Sequence, residues 1–87
     1  MALARYKDHT IEAINMAWAE IVKYDGKVVR RGFTILGQRT YQFVVDEEGQ
    51  RAAYDVRFKS GLLQVPVKIA RNGVEIYDSE RDERLIW

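Results

Sequence analysis

A glycine-containing turn is the feature of this sequence that most constrains its fold. Asn72-Gly73 is the pair preferred for a two-residue type I′ turn, because both of its positions tolerate a positive φ. Such a turn joins two antiparallel strands and sets Arg71 opposite Val74. Weaker turn signals recur earlier in the chain. The sequence therefore predicts that its second half is a series of antiparallel hairpins.

The registers that follow from these turns place the apolar residues of neighbouring strands on one face. We predict a second two-residue turn at Ser60-Gly61 and a four-residue loop over residues 46–49. Counting back from the turns gives the pairs Ile69–Ile76, Phe58–Leu63, Val56–Val65, Tyr54–Val67, Ala52–Ile69, Phe43–Ala52 and Tyr41–Tyr54. A slip of one residue would expose all of these apolar side chains. The pattern therefore predicts a sheet with one buried face and one polar face.

The segment before the hairpins has the spacing of an amphipathic helix. Asp8 or Thr10 suits the N-cap position, and Tyr24 with the two residues after it supplies a stop. Between these ends, apolar residues recur with a helical period at Ile11, Ile14, Trp18, Ile21 and Val22. We therefore predict an N-terminal helix from Asp8 to about Tyr24, with one buried face.

Together these elements predict an α+β fold, in which the N-terminal helix packs on one face of a four- to five-stranded antiparallel meander sheet. A chain of 87 residues suits one domain, so we expect residues 1–87 to form a single domain. In topology, a single helix on a curled sheet resembles the cystatin-like architecture. The alternative is a small barrel with the helix closing one end, which the same hairpins permit. No internal repeat is evident in the sequence.

The composition indicates a soluble cytoplasmic protein that is not an enzyme. There is no cysteine, which argues against a disulfide framework and a thiolate metal site. No stretch approaches the roughly 20 apolar residues of a membrane span. The chain lacks a phosphate-binding loop, a nucleophile motif and metal-ligand spacing, so we expect no cofactor and no metal. His9 lies near Asp8 and Glu12, and we interpret it as an exposed first-turn residue; the alternative is a His–carboxylate pair for proton transfer.

The net charge is only +1, but the charges are distributed unevenly. Residues 27–71 carry nine basic and four acidic side chains, whereas residues 72–87 carry two basic and five acidic ones. The polar face of the predicted sheet would present a partner-binding set: Arg51, Arg57, Lys59, Lys68 and Tyr77. Basic groups beside aromatic rings are typical of surfaces that hold RNA or single-stranded DNA. Most other aromatic residues alternate onto the core side, which favours a solvated or protein-binding face.

The chain ends on three large apolar residues, Leu85, Ile86 and Trp87. Burying one such side chain contributes about 1.5 to 3 kcal/mol, so we expect these residues to dock on the domain itself or on a partner. We therefore predict a non-catalytic protein-interaction module, a homodimer that uses the free sheet face, a strand edge and the apolar C-terminus. Binding of RNA or single-stranded DNA through the basic face is the alternative.

Overall fold

The computed structural model describes residues 2–16, 18–33, 38–59 and 65–82, and these residues are almost entirely β-structure. The strands are β1 Ala2–Tyr6, β2 His9–Asn15, β3 Ala19–Tyr24, β4 Lys27–Phe33, β5 Arg39–Glu47, β6 Gln50–Phe58, β7 Val67–Arg71 and β8 Val74–Asp78. Strands β1 to β4 form sheet 1 and strands β5 to β8 form sheet 2; both are antiparallel, and each strand pairs with the next. A four-residue helix, α1 (Ser79–Asp82), follows β8.

The predicted α+β fold is wrong, because the segment from Asp8 to Tyr24 forms strands β2 and β3 and no helix. The cause is turn chemistry. Asp25-Gly26 does not end a helix but makes a two-residue turn, with φ of 49° and 83°, that pairs Tyr24 with Lys27. The protein is therefore mostly β. The resemblance to the cystatin-like architecture and the helix-closed barrel both depended on the N-terminal helix, so both are wrong.

The apolar stripe that indicated a helix is divided between the two faces of sheet 1. Ile11 and Val22 are fully buried, whereas Ile14 and Ile21 pair with each other on the outer face and are half-buried. Trp18 is 82% exposed in the connection between β2 and β3. The helical spacing arises because both faces of these strands carry apolar residues, so strict alternation is lost.

The predicted Asn72-Gly73 turn is confirmed, and it joins β7 to β8. Beyond the turn, Ile69 pairs with Tyr77 and not with Ile76, because a β-bulge inserts one extra residue into β8. The bulge brings Tyr77 against the core, whereas the sequence had placed it on the polar face.

The predicted loop over residues 46–49 is wrong, since a two-residue turn at Glu48-Gly49 joins β5 to β6. Phe43 consequently pairs with Tyr54 and not with Ala52. This error shifts the register by two residues, so each side chain keeps the face that the sequence predicted. Phe43, Ala52 and Tyr54 are all buried.

The pairs predicted from a Ser60-Gly61 turn are also wrong. Phe58 pairs with Val67, four residues beyond the predicted Leu63, so a longer connection joins β6 to β7. Residues 60–64 of that connection lie outside the described residues. Because the shift is again even, the predicted buried face of sheet 2 is retained.

The inner faces of the two sheets enclose one core. Its buried apolar residues are Ala2, Ala4, Ile11, Ala13 and Val22 from sheet 1, and Phe43, Ala52, Tyr54, Val56, Phe58, Val67 and Ile69 from sheet 2. Among these buried residues, sheet 1 thus contributes small and aliphatic side chains, while sheet 2 contributes the aromatic rings. Phe43 and Tyr54 stack with their centroids 5.0 Å apart.

The two halves of the chain repeat one architecture, although no sequence repeat is evident. Each sheet is a four-stranded meander whose third and fourth strands are joined by an Asp-Gly or Asn-Gly turn. Asp25 Oδ1 accepts a hydrogen bond from Thr10 N–H, and Asp25 N–H donates one to the Thr10 carbonyl. Asn72 and Ala53 form the same two hydrogen bonds in sheet 2. In both sheets a bulge follows at the same position after this turn. The repeat is therefore one of backbone geometry.

Candidate functional site

A buried carboxylate, that of Glu47, lies at the end of the molecule that carries the two-residue turns. Glu47 Oε2 accepts hydrogen bonds from the hydroxyls of Tyr24 (2.6 Å) and Tyr54 (2.5 Å). Its Oε1 accepts two more from the Arg71 guanidinium, at 2.9 and 2.7 Å. Tyr24 belongs to sheet 1 and the other three residues to sheet 2. We call these four residues the Glu47 cluster.

The charges of the Glu47 cluster are internally satisfied. Burial alone would raise the pKa of Glu47, but the hydrogen bonds from Tyr24, Tyr54 and Arg71 outweigh it and lower that pKa. Burial raises the pKa of both tyrosines, and their hydrogen bonds to Glu47 raise it further. Four donors nearly saturate a carboxylate. The cluster therefore joins the two sheets and leaves little capacity for a ligand.

His9, at the start of β2, lies beside this cluster and pairs with Asp25. Its Nδ1–H donates to Asp25 Oδ2 at 2.7 Å, and its ring stacks on Tyr24 with centroids 5.3 Å apart. This hydrogen bond raises the pKa of His9. Burial alone would raise the pKa of Asp25, but hydrogen bonds from His9 and from Thr10 N–H lower it.

The sequence had placed His9 on a helix near Asp8 and Glu12, and that placement is wrong. The partner is Asp25, 16 residues away, which the pairing of β3 with β2 brings beside His9. The signal that could have found it is Asp25-Gly26, a dipeptide as favourable for a hairpin turn as Asn-Gly.

His9 lines a small polar pocket of about 160 Å³. The other lining residues are Tyr6, Lys7, Glu47, Glu48, Gln50 and Arg71. His9 Nε2 is buried and has no hydrogen-bond partner among the described residues. An Asp–His pair orients an imidazole for proton transfer. However, the described residues that line the pocket include no serine, threonine or cysteine, and the described ranges contain no group of three or more metal-ligating side chains.

A second buried carboxylate, that of Glu20 on β3, lies at the opposite end of the interior. It accepts hydrogen bonds from the Arg39 guanidinium, from the Tyr41 hydroxyl (2.9 Å) and from the Asn15 amide (3.3 Å). Burial raises the pKa of Tyr41 to about 12, and the hydrogen bond to Glu20 contributes to this shift. Since Arg39 and Tyr41 belong to β5, this cluster also joins sheet 1 to sheet 2.

The residues predicted to form a basic face are interspersed with acidic ones. Arg51 and Arg57 are exposed on the outer face of sheet 2, and Arg51 pairs across the strands with Asp46. Lys68, opposite Arg57, forms a salt bridge of 3.8 Å with Asp78. The basic side chains of this face thus have acidic neighbours.

The remaining members of the predicted set do not extend a basic surface. Lys59 follows β6 and is half-buried, and Tyr77 packs against the core. A groove of about 220 Å³ on the outer face of sheet 2 carries both signs of charge, since Asp55 and Glu75 line it together with Arg57 and Lys68. The outer face of sheet 2 is therefore a surface of mixed charge, and Tyr77, the ring predicted to stack on bases there, packs against the core instead.

The outer face of sheet 1 carries an apolar surface that the sequence reasoning missed. Its exposed or half-buried members are Leu3, Ile14, Met16, Ile21, Val28 and Phe33, and Trp18 lies in the adjoining connection. We call these seven residues the outer apolar face. Phe33 is 79% exposed at the end of β4. Only a correct assignment of β2 and β3 as strands could have revealed this surface, because a helix would have buried Trp18, Ile14 and Ile21.

Leu85, Ile86 and Trp87 lie outside the described residues, so their predicted docking stays a prediction. Among the residues that the structure describes, no helix has both the length and the apolar character needed to cross a membrane. Comparison with known protein families, with curated proteins and with solved structures finds no match.

Proposed function

We propose that this protein is a small, non-catalytic protein-interaction module that acts as a homodimer, with the outer apolar face as its contact surface. The observation that carries this proposal is the exposure of Trp18 and Phe33, at 82% and 79%. Soluble monomers rarely expose large contiguous apolar patches, and tryptophan is enriched in the residues that dominate binding energy at interfaces.

A second copy of this chain is the partner that the chemistry of the face favours. Glu12 on β2 and Lys23 on β3 pair directly across the strands in the middle of this face. Two copies that face each other can therefore match a carboxylate with an ammonium group. We also propose a cytoplasmic location, which the absence of cysteine supports. Nucleic-acid binding by sheet 2 has less support, because acidic residues are interspersed with the basic ones there.

Sedimentation velocity over a range of concentrations tests this proposal. We expect the wild-type chain to be a dimer and the double variant Trp18→Ser, Phe33→Ser to be a monomer with an unchanged circular dichroism spectrum. The matched control is Val44→Ser, which removes a side chain that is 59% exposed on the outer face of sheet 2, and it should stay dimeric. A wild-type chain that is monomeric at all concentrations would refute the proposal, as would equal dissociation of the control.

A further inference from the structure

The outer face of sheet 1 is complementary to itself in a specific orientation. Across β2 and β3, Glu12 pairs with Lys23 and Ile14 pairs with Ile21. Each pair thus sets two complementary side chains side by side, one from each central strand: opposite charges in the first pair and isoleucines in the second. A two-fold axis that lies in the face, parallel to these strands and midway between them, would exchange β2 with β3. The rotation therefore places Glu12 of one copy over Lys23 of the other, and Ile14 of one copy over Ile21 of the other.

The outer strands extend this complementarity. Leu3 on β1 pairs with Glu12, and Val28 on β4 pairs with Lys23, so one row across the sheet reads Leu3, Glu12, Lys23, Val28. Both ends of this row are apolar, at 43% and 41% exposure, and its centre holds one charge of each sign. When the same row is turned about the axis, apolar ends meet apolar ends and each carboxylate meets an ammonium group.

The remaining charges of the outer face do not oppose this arrangement. Arg5 pairs with Thr10 in a row nearer the turns, whereas Arg31 pairs with Ile21 in the next row on the other side of Glu12. Because the axis keeps each row over the same row of the second copy, Arg5 and Arg31 do not meet each other. The arrangement therefore creates no contact between like charges in these rows.

We propose that two copies associate face to face through sheet 1 about this axis, with Glu12 of each subunit against the partner's Lys23. This inference rests on the proposed homodimer and adds the residues that make the contact. Packed sheets lie about 10 Å apart and cross at about 30° because each is twisted, so rows near the axis stay in register. The two isoleucines and the two charges lie in these central rows.

Charge reversal tests the orientation. Glu12→Lys and Lys23→Glu each place like charges against each other across the interface, so each variant alone should raise the dimer dissociation constant roughly tenfold or more. An equal mixture of the two variants should form heterodimers, because one face then carries two ammonium groups and the other carries two carboxylates. Native mass spectrometry of the separate and mixed variants measures both results.

Mixing the two variants distinguishes an effect on the interface from an effect on the fold of each subunit. Glu12 and Lys23 are also register partners within one chain, so each reversal places like charges side by side inside the subunit. Mixing cannot remove that internal repulsion, and recovery of dimers on mixing therefore reports the contact between subunits alone. If wild type is a dimer but the variants dimerise equally well alone, the orientation is wrong and the homodimer stands. If wild type is a monomer, both proposals are wrong.

Cysteine cross-linking gives a second measurement that does not depend on charge. The chain has no cysteine of its own, so Leu3→Cys and Val28→Cys each introduce a single thiol. The axis places β1 of one subunit over β4 of the other, about 10 Å away, which is too far for a direct disulfide. The two variants mixed should therefore form a covalent heterodimer with a short bismaleimide, which bridges thiols at this separation. Leu3→Cys alone should not cross-link, since its two copies lie about three strand spacings, or ~14 Å, apart across the sheets in addition to the ~10 Å between them. Efficient cross-linking of Leu3→Cys alone would overturn the orientation.

Discussion

Tyr24 of β3 and Glu47 of β5 are joined by a hydrogen bond of 2.6 Å that connects sheet 1 to sheet 2. At the other end of the interior, Tyr41 of β5 donates to Glu20 of β3 at 2.9 Å, so the same two strands are linked twice with the roles reversed. These links fix how the sheets lie on one another, because apolar packing alone has little directional preference. Sheet 1 can therefore present its outer face as a rigid surface.

Removal of the Tyr24 hydroxyl should weaken the link between the sheets. Tyr24→Phe keeps the ring that stacks on His9 but removes one of the four donors to Glu47. We expect the free energy of unfolding to fall by about 1.5 to 3 kcal/mol, the contribution typical of a hydrogen bond to a charged group. Urea denaturation monitored by circular dichroism measures this change.

The matched control is Tyr6→Phe. Its ring lies 3.9 Å from the Arg71 guanidinium carbon, and phenylalanine retains that cation–π contact. We expect a change within about 0.5 kcal/mol. Equal losses for Tyr24→Phe and Tyr6→Phe would contradict a specific role for the bond between Tyr24 and Glu47.

The side-chain alternation of sheet 2 could be read from the sequence, but the strands of sheet 1 could not. In sheet 2, large apolar residues such as Tyr54 and Phe58 occupy the inner face and charged Arg57 the outer one, so the period of two is clear. In β2 the inner residue Ala13 is small and the outer residue Ile14 is large. This reversal of the usual pattern produced a helical period in place of a strand.

The candidate site depended on the same missed strands. His9 and Asp25 are adjacent only because β2 pairs with β3, so that the start of β2 lies beside the turn after β3. From the local sequence, the predicted neighbours of His9 were Asp8 and Glu12. The outer apolar face was not predicted for a related reason. A helix would have buried Trp18, whereas the connection between β2 and β3 leaves it exposed. Tertiary pairing, which local periodicity does not encode, determined both sites.

Gly32 on β4 allows the Tyr41 hydroxyl to reach Glu20, and a side chain at this position should destabilise the fold. A Cβ atom at residue 32 would lie 2.9 Å from two ring carbons of Tyr41 and against its hydroxyl. We therefore expect Gly32→Ala to lower the free energy of unfolding by about 1 to 3 kcal/mol, the usual cost of overpacking. Thermal denaturation followed by circular dichroism measures the loss.

A double-mutant cycle with Tyr41→Phe assigns the cause. The hydroxyl is the closest atom to the added Cβ, so its removal should reduce the cost of Gly32→Ala. An undiminished cost in the Tyr41→Phe background would show that the hydroxyl is not the atom that excludes a side chain at residue 32.

The pair formed by His9 and Asp25 should make stability depend on pH. The hydrogen bond to Asp25 raises the pKa of His9 above its ordinary value of 6.5 in the folded state. A group whose folded pKa is raised contributes stability that is fully present below its unfolded pKa and is lost as the pH rises through its folded pKa. Since the pKa of Asp25 is lowered, its carboxylate stays ionised through this range.

We therefore expect wild type to exceed His9→Gln in stability by more at pH 5.5 than at pH 8.5, as measured by urea denaturation. Asp25→Asn keeps a side chain that can accept the Thr10 N–H bond but removes the charge, so it should abolish most of this pH dependence. An NMR titration of the His9 ring provides the direct measurement. A His9 pKa at or below 6.5 in the folded protein would contradict the geometry, because an imidazolium stacked on Tyr24 and bonded to a carboxylate at 2.7 Å must be favoured over the neutral ring.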